Sequence, residues 1–186
     1  RVAQTSPQMS GLADEAVGFK TLQDATWLRN RVLHQLDAAA ATFDTEARRR
    51  LLTFTFVGGG YAGVEALAEL HSMARDAMRR YRGLRVSDMR WVLIEAQETL
   101  LPGLHPRLAR FSEQTLRRTG VEVHLGTRLQ DCTGGIVVLD PADVEPYESD
   151  TIVWTAGQRP TPVAAAWDLP ADDSGSVVVD EHMAVP

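Results

Sequence analysis

The sequence predicts an α/β fold, a parallel sheet with helices packed on it, joined to an antiparallel β-meander. Three observations lead there. Between residues 53 and 125, β-rich apolar runs alternate with helical patterns in the order strand-helix-strand-helix-strand. That order belongs to a parallel sheet with right-handed helical crossovers. Beyond residue 126 the helical periodicity stops, and short β-like pieces gather around the turn "TGG" at 133–135.

Taken in order, residues 1–20 are polar and small, without a strong period, and predict a loop. The stretch 21–43 predicts a helix, with Ala25, Leu28, Val32, Leu36 and Ala39 at three- and four-residue spacing and a capping box from Thr21 and Asp24. A short second helix follows over 44–52, capped by Asp44. "TFTFV" (53–57) is an apolar strand that ends in glycines, and 62–81 carries Leu67, Leu70, Ala74, Ala77 and Tyr81 on one helical face. "RWVLIEA" (90–96) is a second buried strand. The next helix, 105–120, has Pro106 in its first turn and Gly120 at its C-terminal cap. "VEVHL" (121–125) alternates as a third strand. "TRLQDC", "GIVVLD" and "YESD" make the meander, and "TIVWTAG" (151–157) returns to a buried strand. After the Pro-rich stretch 160–170, "SVVVDEHMAV" (176–185) predicts one more strand or hairpin arm. No internal repeat is evident.

Composition narrows the function. A net charge of −6 with acids and bases interspersed gives no basic footprint for nucleic acid. Cys132 is the one cysteine, which excludes an internal disulfide, a CxxC redox pair and a cysteine-based zinc site, and it predicts a reducing compartment. The five histidines, at 34, 71, 105, 124 and 182, form no metal-binding cluster. No apolar stretch approaches the ~20 residues of a membrane span. The chain opens with Arg1 and stops without a turn signal, which predicts a piece cut from something longer.

Gly58, Gly60 and Gly63, with Gly59 as an extra, fit the spacing G-x-G-x-x-G between the first strand and its helix. In a Rossmann-like unit the first glycine allows the sharp turn and the second lets a pyrophosphate reach the main chain. The third lets helix and sheet pack closely. The helix opening near Ala62 then aims free N–H groups and the positive end of its dipole at the phosphates. The bland alternative is a glycine-rich turn with no ligand; the strand before it and the helix after it favour the cradle. The second element is an acid at the end of the next strand, to hold an adenosine ribose. Glu95 stands there, 32 residues past Gly63, because a long helix and loop intervene. A carboxylate repels a 2′-phosphate and so favours NADH over NADPH; the alternative is a solvated strand-end Glu. Arg75, Arg79, Arg80, Arg82 and Arg85 read as a solvated face, with contact to a membrane surface or partner as the rival.

With these residues in hand, the chain resembles the flavin-dependent pyridine-nucleotide reductases, and more narrowly the type II NADH dehydrogenases. The matching stretches are 11–37, 57–70, 91–127, 151–162 and 169–185, in family order over nearly the whole chain. The resemblance implies an NADH domain inserted into an FAD domain. Residues 1–51 would then be a segment and helix of the FAD-domain connection, 52–158 the NADH-binding Rossmann domain, and 159–186 the return segment. It assigns Gly58, Gly59, Gly60, Tyr61, Ala62 and Gly63 to the pyrophosphate loop and Glu95 to the ribose. Tyr61 stands where the family commonly has proline. Ala156 and Gly157 match small residues that let the chain pass close to the cofactor. Glu65 matches an acid where nicotinamide and flavin meet; from position alone, a Glu on the first turn would simply favour the dipole. Lys20 falls in a family-like segment without an assigned role.

The implied function is an oxidoreductase that passes hydride from NADH to FAD and electrons on to a quinone, as part of a respiratory chain. In that reading the full-length protein is cytoplasmic, at the inner face of the membrane, held peripherally by regions outside this sequence. This segment, with no earlier glycine motif for FAD, is inactive by itself. The rivals are an NADPH-linked or ferredoxin-type flavoprotein reductase and a non-catalytic nucleotide-sensing module.

Overall fold

The computed structural model describes residues 9–157 and 162–186. They fall into two compact units, one running up to Ala156 and the other from Gly157 onward.

The first unit is built on a five-stranded sheet of β1 (Ala16–Gly18), β2 (Thr53–Val57), β3 (Arg90–Ile94), β4 (Val121–His124) and β8 (Thr151–Trp154). Its order is β1-β8-β2-β3-β4 and every pairing is parallel. A separate antiparallel sheet contains β5 (Arg128–Asp131), β6 (Ile136–Asp140) and β7 (Tyr147–Glu148). Both expected architectures are therefore present, parallel sheet and meander.

The pleat sends alternate side chains to opposite faces, and each face has its own core. Phe54, Phe56, Trp91, Leu93, Val121, Val123 and Val153 meet the helices. Val57, Val92, Ile94 and Ile152 cluster instead with Leu129, Val137 and Leu139 of the small sheet. The helices on the first face are α2 (Leu22–Ala41), α4 (Tyr61–Met78) and α5 (Pro106–Arg118). On α2, Leu28, Val32, Leu36 and Ala39 are all fully buried, as the spacing predicts. Burying each leucine contributes roughly 2 kcal/mol relative to exposure. The Thr21 hydroxyl accepts from Asp24 N at 3.1 Å, and the Asp24 carboxylate accepts from Thr21 N at 2.8 Å, completing the capping box. Between α2 and β2 the short α3 (Thr45–Leu51) is capped by Asp44, whose Oδ1 accepts from the main chain of Glu46 and Ala47.

Two expectations need correction. Residues 9–20 are not simply a loop: α1 (Leu12–Glu15) leads into β1, an edge strand paired with β8. Three residues, "AVG", are too short to show a period, and the pairing that makes them a strand comes from more than 130 residues away. Residues 1–8 lie outside the described part of the chain. The second unit holds α6 (Pro162–Ala166). Where a strand or hairpin arm is expected at 176–185, the described residues form no full strand, only the arm of a short hairpin with a single antiparallel bridge, Ala171 to Val177. The Val178 N–H donates to Pro170 O at 2.8 Å and the Asp172 N–H to Ser176 O at 2.9 Å, so the pairing stops after a short hairpin, and Val178 and Val179 stay 43% and 38% exposed. Tyr81 also falls beyond α4, where its hydroxyl donates to Asp37 at 2.6 Å.

Candidate functional site

At the C-terminal end of β2 the chain turns through Gly58 and enters α4, whose N-cap is Gly60. This is the end of a parallel sheet where ligands bind. Gly58 has φ +117, and a Cβ there would lie 2.6 Å from Thr155 Oγ1 and 2.7 Å from Ala156 N. Gly63, one helical turn on, could carry no side chain either: its Cβ would sit 2.0 Å from the Gly58 carbonyl oxygen. So strand, turn and helix touch main chain to main chain. Gly60 differs. A Cβ on it would meet nothing within 4 Å, so its bare face opens on free space.

That opening is where the helix leaves its first N–H groups. No side chain caps α4 and no acid stands in its first turn. Tyr61, half exposed, and Ala62, also exposed, occupy the first two helical positions. A cradle that a Cβ would fill, uncapped N–H groups and the positive end of a dipole together suit an anion such as a pyrophosphate.

Glu95 follows β3 directly and comes to this loop. Its Oε2 accepts from Gly59 N at 2.5 Å and its Oε1 from Gln97 N at 2.8 Å. Glu95 N in turn donates to His124 O, which extends the β3–β4 ladder by one bond. A carboxylate has about four lone-pair positions, so two remain for hydroxyl donors. The structure therefore brings together Gly58, Gly59, Gly60, Tyr61, Ala62, Gly63, Glu95 and Ala156. Gly157, φ +76, opens the second unit.

Glu65 is placed differently from expectation. It is the fifth residue of α4, beyond the first turn, exposed, and without a hydrogen bond or ion pair among the described residues. The helix dipole therefore gives little account of it. Of the basic run, Arg79 pairs with Asp76 at 3.5 Å and Arg85 with Asp88 at 3.1 Å, so part of its charge is matched locally.

Sequence reasoning missed Thr155. Its hydroxyl lies 3.1 Å from Val57 O and 3.0 Å from Gly58 O, and its N–H donates to Val57 O at 2.9 Å. It ties the end of β8 to the turn. Also missed was the loop after β3, where the Leu101 N–H donates to Gly59 O at 2.8 Å and Leu100 packs against Gly59. Cys132 is buried, with its thiol pushed up to about 11 by burial, and has no thiol neighbour. No group of three or more metal-ligating side chains occurs among the described residues. No helix among them is long and apolar enough to cross a membrane.

The chain is 34% identical over 148 residues to the type II NADH:quinone oxidoreductase Ndh of Mycobacterium tuberculosis, covering 78% of this chain and 32% of that protein. It is 28% identical over 180 residues to the internal alternative NAD(P)H-ubiquinone oxidoreductase A1 of Arabidopsis thaliana mitochondria, covering 96% of this chain and 34% of that protein. The chain thus spans about a third of the length of such relatives. Among solved structures, NDH2 from Plasmodium falciparum in complex with NADH superposes with a TM-score of 0.76 at 19% identity, over 83% of this chain and 32% of that one, which shows the shared fold. The family model for pyridine nucleotide-disulphide oxidoreductases matches residues 3–186, and the chain belongs to that family.

Proposed function

We propose that this chain is the NADH-binding domain of a flavin-dependent NADH dehydrogenase, with a quinone as the final electron acceptor. The observation that carries the reading is the open face of Gly60 beside an uncapped helix, with Glu95 already seated against the same loop. Bound NADH would supply the hydride, and FAD, held by parts of the protein outside this sequence, would accept it.

The residues here bind and orient. The N–H groups at the start of α4 would take the pyrophosphate, and the free lone pairs of Glu95 the adenosine ribose hydroxyls. A 2′-phosphate would bring negative charge against that carboxylate, so NADH is preferred to NADPH. Ala156, beside Gly58, leaves the neighbourhood of the turn clear of bulk, and Gly157 is given the same role on its resemblance. Glu65, exposed and unpaired among the described residues, is placed to meet the nicotinamide or a nearby proton carrier. The flanks, residues 1–51 and 159–186, are assigned to connections with the FAD domain. Peripheral attachment to the inner face of a membrane is assigned to other regions of the full-length protein.

Titrating the chain with NADH and NADPH by cofactor fluorescence tests this. NADH should bind more tightly, and Glu95→Gln should weaken it about tenfold, the worth of one charge-assisted hydrogen bond. By itself the chain should hold no flavin and oxidise no NADH. A preference for NADPH, or no binding at all, overturns the reading.

A further inference from the structure

Gly60, whose bare face opens on the cradle, is the N-cap of α4, and the direction of its N–H is set by a residue outside the glycine motif. The carbonyl of Gly59 and the N–H of Gly60 belong to one peptide, and a trans peptide points its C=O and N–H in opposite directions. That carbonyl is held by the Leu101 N–H at 2.8 Å. On the other side of the same residue, Gly59 N donates to Glu95 Oε2 at 2.5 Å. Leu100, 1% exposed, packs against Gly59, where a Cβ would meet its Cδ2 at 2.5 Å. Both peptides of Gly59 are thus gripped from the loop that follows β3.

What presents the Leu101 N–H is a turn. The Leu104 N–H donates to Leu101 O at 3.0 Å, with Pro102 and Gly103 between them and Gly103 at φ +87. Proline at the first central position and a positive-φ glycine at the second are the pattern of a type II turn. The proline also disfavours the right-handed helical region for Leu101. Leu101 takes φ +55 instead and remains 7% exposed. A buried leucine in the left-handed region is a costly conformation, of order 1 kcal/mol or more, that its surroundings must impose.

We propose that the Leu101–Leu104 turn is a positioning element for dinucleotide binding: through the Leu101 N–H it aims the Gly60 N–H at the pyrophosphate. The inference rests on the proposed nucleotide function. Gly103 offers a clean test, because a Cβ there meets nothing within 4 Å and a substitution acts on the turn alone. Gly103→Val disfavours the positive φ, whereas Gly103→Asn tolerates it. In the full chain, Gly103→Val should raise the Kd for NADH and for ADP-ribose about tenfold, as for one misaligned charge-assisted bond. Binding of adenosine, which has no phosphate, should be unchanged, and Gly103→Asn should stay within about twofold of wild type. Wild-type affinity in Gly103→Val overturns the inference, and so does an equal loss for adenosine and NADH, which would mean a loosened fold. Failure of the wild-type chain to bind NADH defeats the functional reading itself, and the inference with it.

Discussion

The two faces of the parallel sheet are packed by different means. Against the helices lie the large rings. Trp91 stacks on Phe54 with ring centroids 4.3 Å apart and meets the edge of His71 at 5.4 Å. The opposite face of the central strands, towards the small sheet, carries hydroxyls as well as aliphatic side chains. Thr55, fully buried, donates to the Tyr147 hydroxyl at 3.4 Å, and Ser149 Oγ donates to Thr53 O at 3.0 Å. Helices cover a sheet with long side chains that fill an uneven gap. Ser149, directly after the short strand β7, also lies 3.1 Å from Thr151 O, so one buried hydroxyl serves carbonyls of both β2 and β8. Stacked rings therefore reinforce an aliphatic core on one side, while buried hydrogen bonds help fix register on the other.

The largest expected effect is at the ring cluster. Trp91→Ala should cost about 3–5 kcal/mol in urea unfolding, the range for truncating a buried large aromatic. Leu139→Ala, 2% exposed on the other face, removes fewer buried atoms and should cost less than Trp91→Ala, within the range of about 2–5 kcal/mol for such truncations. Equal losses would break the contrast between the faces. Thr55→Val keeps the volume and removes one weak hydrogen bond, so about 1 kcal/mol should go, with the Tyr147 hydroxyl left without that partner. A loss below a few tenths would show that hydroxyls do not help hold this face.

The smallest effect is a pH dependence at the sheet edge. His124 Nε2, 3.8 Å away, and the Arg90 guanidinium, bonded at 3.0 and 2.8 Å, hold the Glu122 carboxyl down to about 2. A carboxyl lowered from its usual 4.5 contributes stability above that pH and loses it as the pH falls towards 2. The advantage of wild type over Glu122→Gln in denaturant melts should therefore be constant near neutrality and shrink below about pH 4.5. An advantage that grows on acidification would contradict the sign.

How much of this was legible depended on whether the signal was local. The capping box at Thr21 and Asp24, the proline and glycine bounding α5, and the apolar rows of α2 and α4 are written within a few residues of where they act. So is the glycine turn. Glu95 could be found by its place at the end of the second strand, although its grip on Gly59 could not. Thr155 and Leu101 act through contacts with residues tens of positions away, and neither residue type announces such a role. β1 has too few residues to carry a period and becomes a strand through β8. The run 176–185 shows the converse: its composition favours a strand, but among the described residues its pairing amounts to one bridge, at Val177.

The sheet order carries one more consequence. β8 is the last strand of the five in sequence, yet it sits between β1 and β2 and pairs with both. During synthesis the ribosome delivers the first strand and the following three long before the piece that joins them. Until residue 154 has cleared the exit tunnel, β2 presents an open ladder edge and residues 16–18 have no strand to pair with. A nascent chain in that state is exposed to wrong partners, and its final closure waits on translation.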